Sequence, residues 1–240
     1  MMNFAVAFLW TLLALVTGLA AISAVHRHRE QLNTSIMDED NAPQENRTSA
    51  AAYVFRISSV TLKEWILILF AAVLVGATAF RLQIAQVHAV TGSKLLVTAL
   101  FLSAAMVVDW FTHRIPNRLV LVMLAAGTLF LGLEFLFQRE IFRSQLLAAL
   151  VGLIGFLVFF YLMARLTGGG IGMGDVKLIA AEGWLAGFTT TLTAVLFSMI
   201  VCSLAAVVLL ITKKKAKQDQ VPFGPFLFFG YIITLLICNL

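Results

Sequence analysis

Apolar stretches separated by short polar breaks run along the whole chain: Phe4–Val25, Trp65–Phe80, Leu95–Phe111, Arg118–Phe137, Gln145–Leu166, Val176–Gly187, Thr191–Ile211 and Val221–Leu240. A helix that crosses a bilayer needs about 20 mainly apolar residues, within a range of roughly 17–25. The pattern therefore predicts an all-α polytopic membrane protein of about eight transmembrane helices. The first stretch lacks a basic start and an A-x-A-like cleavage site, so a retained helix is expected there. One polar interruption is long, from His26 to Lys63, and holds the acidic run Asp38-Glu39-Asp40. It divides the chain into N-terminal helices with a polar loop (1–90) and a membrane-embedded domain (91–240). The sixth and seventh stretches are separated by nothing more polar than Thr189-Thr190-Thr191.

Composition agrees with a membrane chain. Of the 240 residues 61% are hydrophobic and only 12% are charged, against roughly 25% charged in a soluble domain. The two cysteines, Cys202 and Cys238, lie in apolar runs and form no C-x-x-C pair, so neither a zinc site nor a disulfide framework is expected. His26 and His28 read as solvated loop residues, and no metal or cofactor is called for. The net charge of +5 reports topology, not nucleic-acid binding. Thirteen of the 17 lysines and arginines fall on the first, third, fifth and seventh connections. The excess of positive charge on the cytoplasmic side then puts these connections in the cytoplasm and both termini outside. The run Lys213-Lys214-Lys215-Ala216-Lys217 is part of that signal and can also hold anionic lipid. Glu134 is expected to reach outward to the loop that follows it.

Candidate chemistry centres on Thr167–Lys177, T-G-G-G-I-G-M-G-D-V-K, where five glycines fall within seven residues. Glycine is costly inside a helix. Such a cluster marks backbone that is not helical or that another backbone approaches. It ends on Asp175, a carboxylate at the edge of an apolar segment, which is a functional-site hypothesis by default. Asp109 stands in the same situation at the end of the third stretch. The charge distribution puts both at the cytoplasmic ends of their helices, at one depth. Two carboxylates sharing a low-dielectric site titrate as a unit, and such a pair can activate water and protonate a carbonyl. The structural alternative pairs Asp109 with Arg114 and makes Asp175 a helix cap. Nucleotide binding is not expected, since neither G-x-x-x-x-G-K-[ST] nor a correctly spaced G-x-G-x-x-G is present and the preceding segment is an apolar span, not a short strand.

Other polar residues surround these two. Glu182 follows Asp175 by seven, two turns deeper on the same face. It would relay protons or tune the pair, or else sit neutral and bonded to a neighbouring helix. Lys177 would anchor its helix at the interface or meet substrate. Pro116 and Asn117 end a turn and start the fourth helix. Pro222 and Pro225, flanking Phe223 and Gly224, predict unwound or kinked backbone that lines a cavity.

The stretch Gly172-Met173-Gly174-Asp175, extended by Val176-Lys177-Leu178, resembles the active-site signature of the type IV prepilin peptidases, the bacterial GxGD aspartic proteases. Asp109 followed by Arg114-Ile115-Pro116-Asn117 resembles that family's first aspartate motif, and Pro222-Phe223-Gly224-Pro225-Phe226-Leu227 its third landmark. The resemblance covers about Leu95 to Leu240. It implies a cell-membrane endopeptidase that removes short basic leaders from prepilins or pseudopilins at the cytoplasmic face. Asp109 and Asp175 are the catalytic pair it implies, and a link to a pilus or secretion assembly machine follows. Many members also methylate the new N-terminus and carry paired C-x-x-C motifs in the first cytoplasmic loop. Here that loop has no cysteine, so methylation is not expected. The alternatives are another GxGD protease of the preflagellin peptidase type, or a small proton-coupled transporter. A signal-peptide-peptidase relative would carry Tyr before the first aspartate, where this chain has Val108.

Overall fold

In a computed structural model, the structure describes residues 9–23, 25, 62–168, 170–211 and 222–238. All regular structure among them is helical. In chain order the helices are α1 (Leu9–Ser23), α2 (Leu62–Ile84), α3 (Ala89–Thr112), α4 (Asn117–Phe137), α5 (Arg139–Leu166), α6 (Met173–Ala186), α7 (Phe188–Ile211) and α8 (Gly224–Ile237). Each expected apolar stretch coincides with one of them. Five helices, α2 to α5 and α7, are long and apolar enough to cross a membrane. The protein is thus a multi-pass membrane protein, all-helical among the described residues. The polar loop 26–61, His26, His28, the acidic run at 38–40 and the lysines at 213–217 lie outside the described residues.

α6 has only 14 residues, yet nine of them are buried. It is wrapped by α5, α4, α7 and α3, while α8 packs against α7 and α3. Large apolar side chains elsewhere, such as Leu121, Leu129, Leu147, Ile154, Leu196 and Val208, are exposed, as expected of surfaces solvated by lipid. Helices in lipid gain little from apolar burial, so close packing through small residues holds them together. The crossing of α5 and α6 is the tightest case. A Cβ on Gly183 would lie 2.7 Å from the backbone C and O of Gly152. At the α7–α8 crossing, a Cβ on Gly230 would meet the Ser198 backbone N at 2.6 Å.

The break between the sixth and seventh stretches falls at Gly187, before the threonines. Its φ of +89° is in the region that favours glycine, and α7 begins at Phe188. Other boundaries also moved. α3 starts at Ala89, so Lys94 lies inside a helix and not before it. There it is buried and paired with Glu134. Glu134 is fully buried too, which corrects the expectation that it reaches outward. Lys94 Nζ also donates to Gln145 Oε1 at 3.3 Å. Mutual neutralisation is what lets two charges remain inside the bundle.

Glu182 differs from the hydrogen-bonded acid expected. It is completely buried, and neither carboxyl oxygen has a hydrogen-bond partner among the described residues. Tyr231, within electrostatic reach of it, donates its hydroxyl to the Leu95 carbonyl at 3.0 Å. An unpartnered buried polar group costs about 1–3 kcal/mol. Glu182→Leu is therefore expected to raise the thermal unfolding midpoint in detergent. A lower midpoint would mean that the carboxyl is bonded after all.

Candidate active site

Asp109 lies in the last turn of α3. The helix stops three residues later at Thr112, and its C-cap His113 has a left-handed φ of 49° and an N–H that closes on the Asp109 carbonyl at 2.9 Å. Residues 113–116 then turn the chain back. Pro116 is the N-cap of α4 and Asn117 its first residue, as expected of a proline at a helix start. The glycine stretch behaves as its composition predicts. α5 ends at Leu166, Gly168 takes a φ of +63°, and α6 begins only at Met173 with Gly172 as N-cap. Asp175 occupies the first turn of α6, three residues past the N-cap Gly172, so it is not itself the cap, although its carboxyl lies at the positive end of the helix.

The two aspartates come together at one end of the bundle, since α3 arrives where α6 departs and the two helices touch. Asp109 is 4% exposed, whereas Asp175 is half-buried. The Asp175 carboxyl, at the start of a helix too short to cross the bilayer, is pushed up to about 7. Burial is the main cause and the Asp109 charge adds to it. Asp175 thus feels Asp109. Glu182 does not figure among the groups shifting it.

The proline segment closes the site from a third side. Among the described residues Pro222 and Phe223 precede the helix, and α8 starts at Gly224 with Pro225 in its first turn. Pro225 is therefore helical, not unwound. First-turn N–H groups of a helix have no partner within it, and the Gly224 N–H donates to Asp109 Oδ2 at 2.8 Å. No ion pair joins Asp109 to Arg114. A Cβ on residue 224 would fall 2.9 Å from both Asp109 Oδ2 and Cβ. Gly224→Ala must therefore push α8 or the carboxylate aside. Any reaction that depends on the placement of Asp109 is expected to fall about 10²-fold, the typical result of a misplacement near 1 Å. An activity assay with a parallel melting curve checks this, the loss of one hydrogen bond costing only about 1 kcal/mol.

The glycines of G-x-G-D have separate tasks. A Cβ on Gly172 would meet Asp175 Oδ2 at 3.0 Å, and one on Gly174 would meet Ile115 Cβ at 3.2 Å. Gly174 thereby seats the start of α6 against the turn that follows Asp109. Nearby, Lys177 Nζ donates to Asn117 Oδ1 at 3.1 Å. Among the described residues, Asp109, Pro116, Asn117, Gly172, Gly174, Asp175, Lys177 and Gly224 thus lie around this end of the bundle. Two others went unnoticed there. Ile115 was read only as part of a motif, and Trp184, whose indole N–H reaches α4, gave no polar signal at all.

The type IV leader peptidase family matches residues 96–209, a span that holds both aspartates. The leader peptidase HopD of Salmonella typhimurium is 33% identical over 128 residues, which is 52% of this chain and 81% of that protein. The chain belongs to the type IV leader peptidase family. Two prepilin leader peptidase/N-methyltransferases are also similar. That of Bacillus subtilis is 31% identical over 125 residues, covering 51% of this chain and 46% of the relative. That of Xanthomonas campestris pv. campestris is 31% identical over 133 residues, covering 55% and 45%. The chain thus matches about half the length of these two-activity relatives. No solved structure matches it. Within this leader peptidase family chain, among the described residues, no cluster of three or more His, Cys, Asp or Glu is arranged to hold a metal.

Proposed function

We propose that this protein is a membrane aspartic endopeptidase that removes the short basic leader from type IV prepilin or pseudopilin substrates. The observation that carries the reading is the meeting of Asp109, Asp175 and the Gly224 N–H at one end of the bundle. A carboxylate pair that shares one proton can do the chemistry without a covalent intermediate. The ionised member takes a proton from water as it attacks the scissile carbonyl, and the protonated member donates to the carbonyl oxygen. Asp109, fixed by the Gly224 N–H as an acceptor, suits the ionised role, and Asp175 suits the protonated one.

Substrate would lie along the glycine stretch, where Gly170 and Gly172 are exposed and main-chain N–H and C=O groups can pair with an extended peptide. Arg114, Arg118, Arg165 and Lys177 share this end of the bundle. By the distribution of positive charge it is the cytoplasmic end, with both termini opposite and the protein in the cell membrane. Hydrolysis alone is proposed. The first loop has no cysteine, and the relatives named as methyltransferases extend well beyond the matched span. A link to a pilus or secretion assembly machine follows from the substrate class.

Incubating the purified protein in nanodiscs with a purified prepilin, then sequencing the product N-terminus, tests this. A cut immediately before the substrate's hydrophobic segment is expected. Intact substrate for every pilin-like protein tried would overturn the proposal.

A further inference from the structure

α6 carries Asp175 but is too short to anchor itself across the bilayer, so something else must set its height and rotation. Two polar ties join it to α4. At the site end, Lys177 Nζ donates to Asn117 Oδ1 at 3.1 Å. Deeper in the bundle, the Trp184 indole N–H donates to the Leu124 carbonyl at 3.1 Å. The ties advance by seven residues on each helix, from 177 to 184 and from 117 to 124. Seven residues are two turns, about 10 Å of rise, and return to the same face. The two helices therefore run parallel and in register, clamped at two points along one seam.

The seam is built to receive the indole. A Cβ on Gly127 would lie 2.8 Å from Trp184 Nε1, so only glycine leaves the slot open. The acceptor needs no rescue if the indole N–H is lost, because the Leu124 carbonyl also accepts the Thr128 hydroxyl at 3.0 Å. A bond whose removal strands no buried group contributes little to stability and much to orientation. The partner helix is also tied to the other aspartate. α4 follows α3 after residues 113–116, and Gly174 rests on Ile115 of that turn. Whatever moves α6 along α4 moves Asp175 relative to Asp109.

We propose that Trp184 with Leu124, and Lys177 with Asn117, form a two-point clamp that sets the separation of the two aspartates. Trp184 is then a positioning residue about 13 Å from the chemistry, nine residues along the helix. The consequence for cleavage rests on the peptidase reading above, whereas the geometric consequence does not.

The test has two arms. In a Cys202→Ser, Cys238→Ser background, cysteines placed at 109 and 175 are linked with a short bifunctional thiol reagent. Adding Trp184→Phe, or Lys177→Met and Trp184→Phe together, is expected to slow cross-linking several-fold, with secondary structure unchanged. In the second arm the aspartates are intact. Trp184→Phe is expected to lower kcat about 10-fold, within the range for a sub-ångström to 1 Å misplacement, and to leave KM within about twofold. Lys177→Met alone should act in the same direction, and the double variant should lose more than either. Unchanged cross-linking in both backgrounds overturns the clamp. Slowed cross-linking in a protein that cleaves no pilin upholds the clamp and overturns the peptidase reading alone. A fall in kcat matched by an equal fall in folded protein assigns Trp184 to stability and overturns the positioning role.

Discussion

Asp109→Asn and Asp175→Asn are each expected to reduce the proposed leader cleavage by about 10³-fold, while the protein stays folded. Removing a group that transfers a proton in the transition state removes an advantage of about 10²–10⁴-fold. The amide keeps the size and planarity of the carboxyl but can neither take the proton from water nor give one to the carbonyl. The two variants should differ in stability. The folded protein holds the Asp175 proton up to about pH 7, against an ordinary value of 3.8. A carboxyl whose folded value is raised costs the native state progressively as pH rises from the ordinary value to the raised one. Asp175→Asn removes that cost, so its melting midpoint at pH 7 and above should match or exceed the wild type. Asp109→Asn replaces the acceptor of the Gly224 N–H by a weaker one and should lower the midpoint slightly. Cleavage assays paired with melting curves across pH 5–8 check both. Normal cleavage by either variant would remove that aspartate from the mechanism.

Gly183→Ala has the largest expected effect away from the aspartates. The added Cβ would fall 2.7 Å from the backbone of Gly152. Both contacting surfaces are main chain inside helices, so no flexible side chain can give way. Overpacking of this sort costs about 1–3 kcal/mol, and a rigid backbone contact belongs at the upper end. The same change pushes α6 away from α5 and carries Asp175 with it. Cleavage should therefore fall about 10²-fold in whatever protein remains folded. Gly155→Ala, on α5 one turn from Gly152, is the control, since a Cβ there meets nothing within 4 Å. Its melting midpoint should equal or exceed that of the wild type, because alanine favours the helix over glycine. Equal midpoints for Gly183→Ala and the wild type would show that the crossing is looser than its backbone distances imply.

Much of this molecule is legible in the residue order. Apolar stretches of this length fix helices because, in a bilayer, a helix satisfies every backbone N–H and C=O group within the one segment. Glycines that are costly inside helices marked the break before α6, and a proline marked the start of α4. Asp109 and Asp175 stood out because carboxylates at the edges of apolar segments are rare and expensive. The Pro-Phe-Gly-Pro segment was recognised as part of the site, although the residue order could not say that Gly224 would be its working group.

Tertiary structure alone decided the rest. Lys94 and Glu134, 40 residues apart, could each be read only as a charge seeking an interface. Their burial depends on finding one another, which no local pattern encodes. Glu182 reads locally as a group that must be satisfied, yet the packing of α6 leaves its oxygens unpartnered. Gly152 and Gly183 look like ordinary small residues until two helices cross at them. Trp184 carries no signal as a lone aromatic in an apolar run. Its meaning comes from a carbonyl on another helix, at the same two-turn spacing from Asn117 that separates Trp184 from Lys177. Periodicity along one chain determines which residues share a face. Only the docking of one helix on another determines which groups those faces meet, because that depends on close packing between segments distant in sequence.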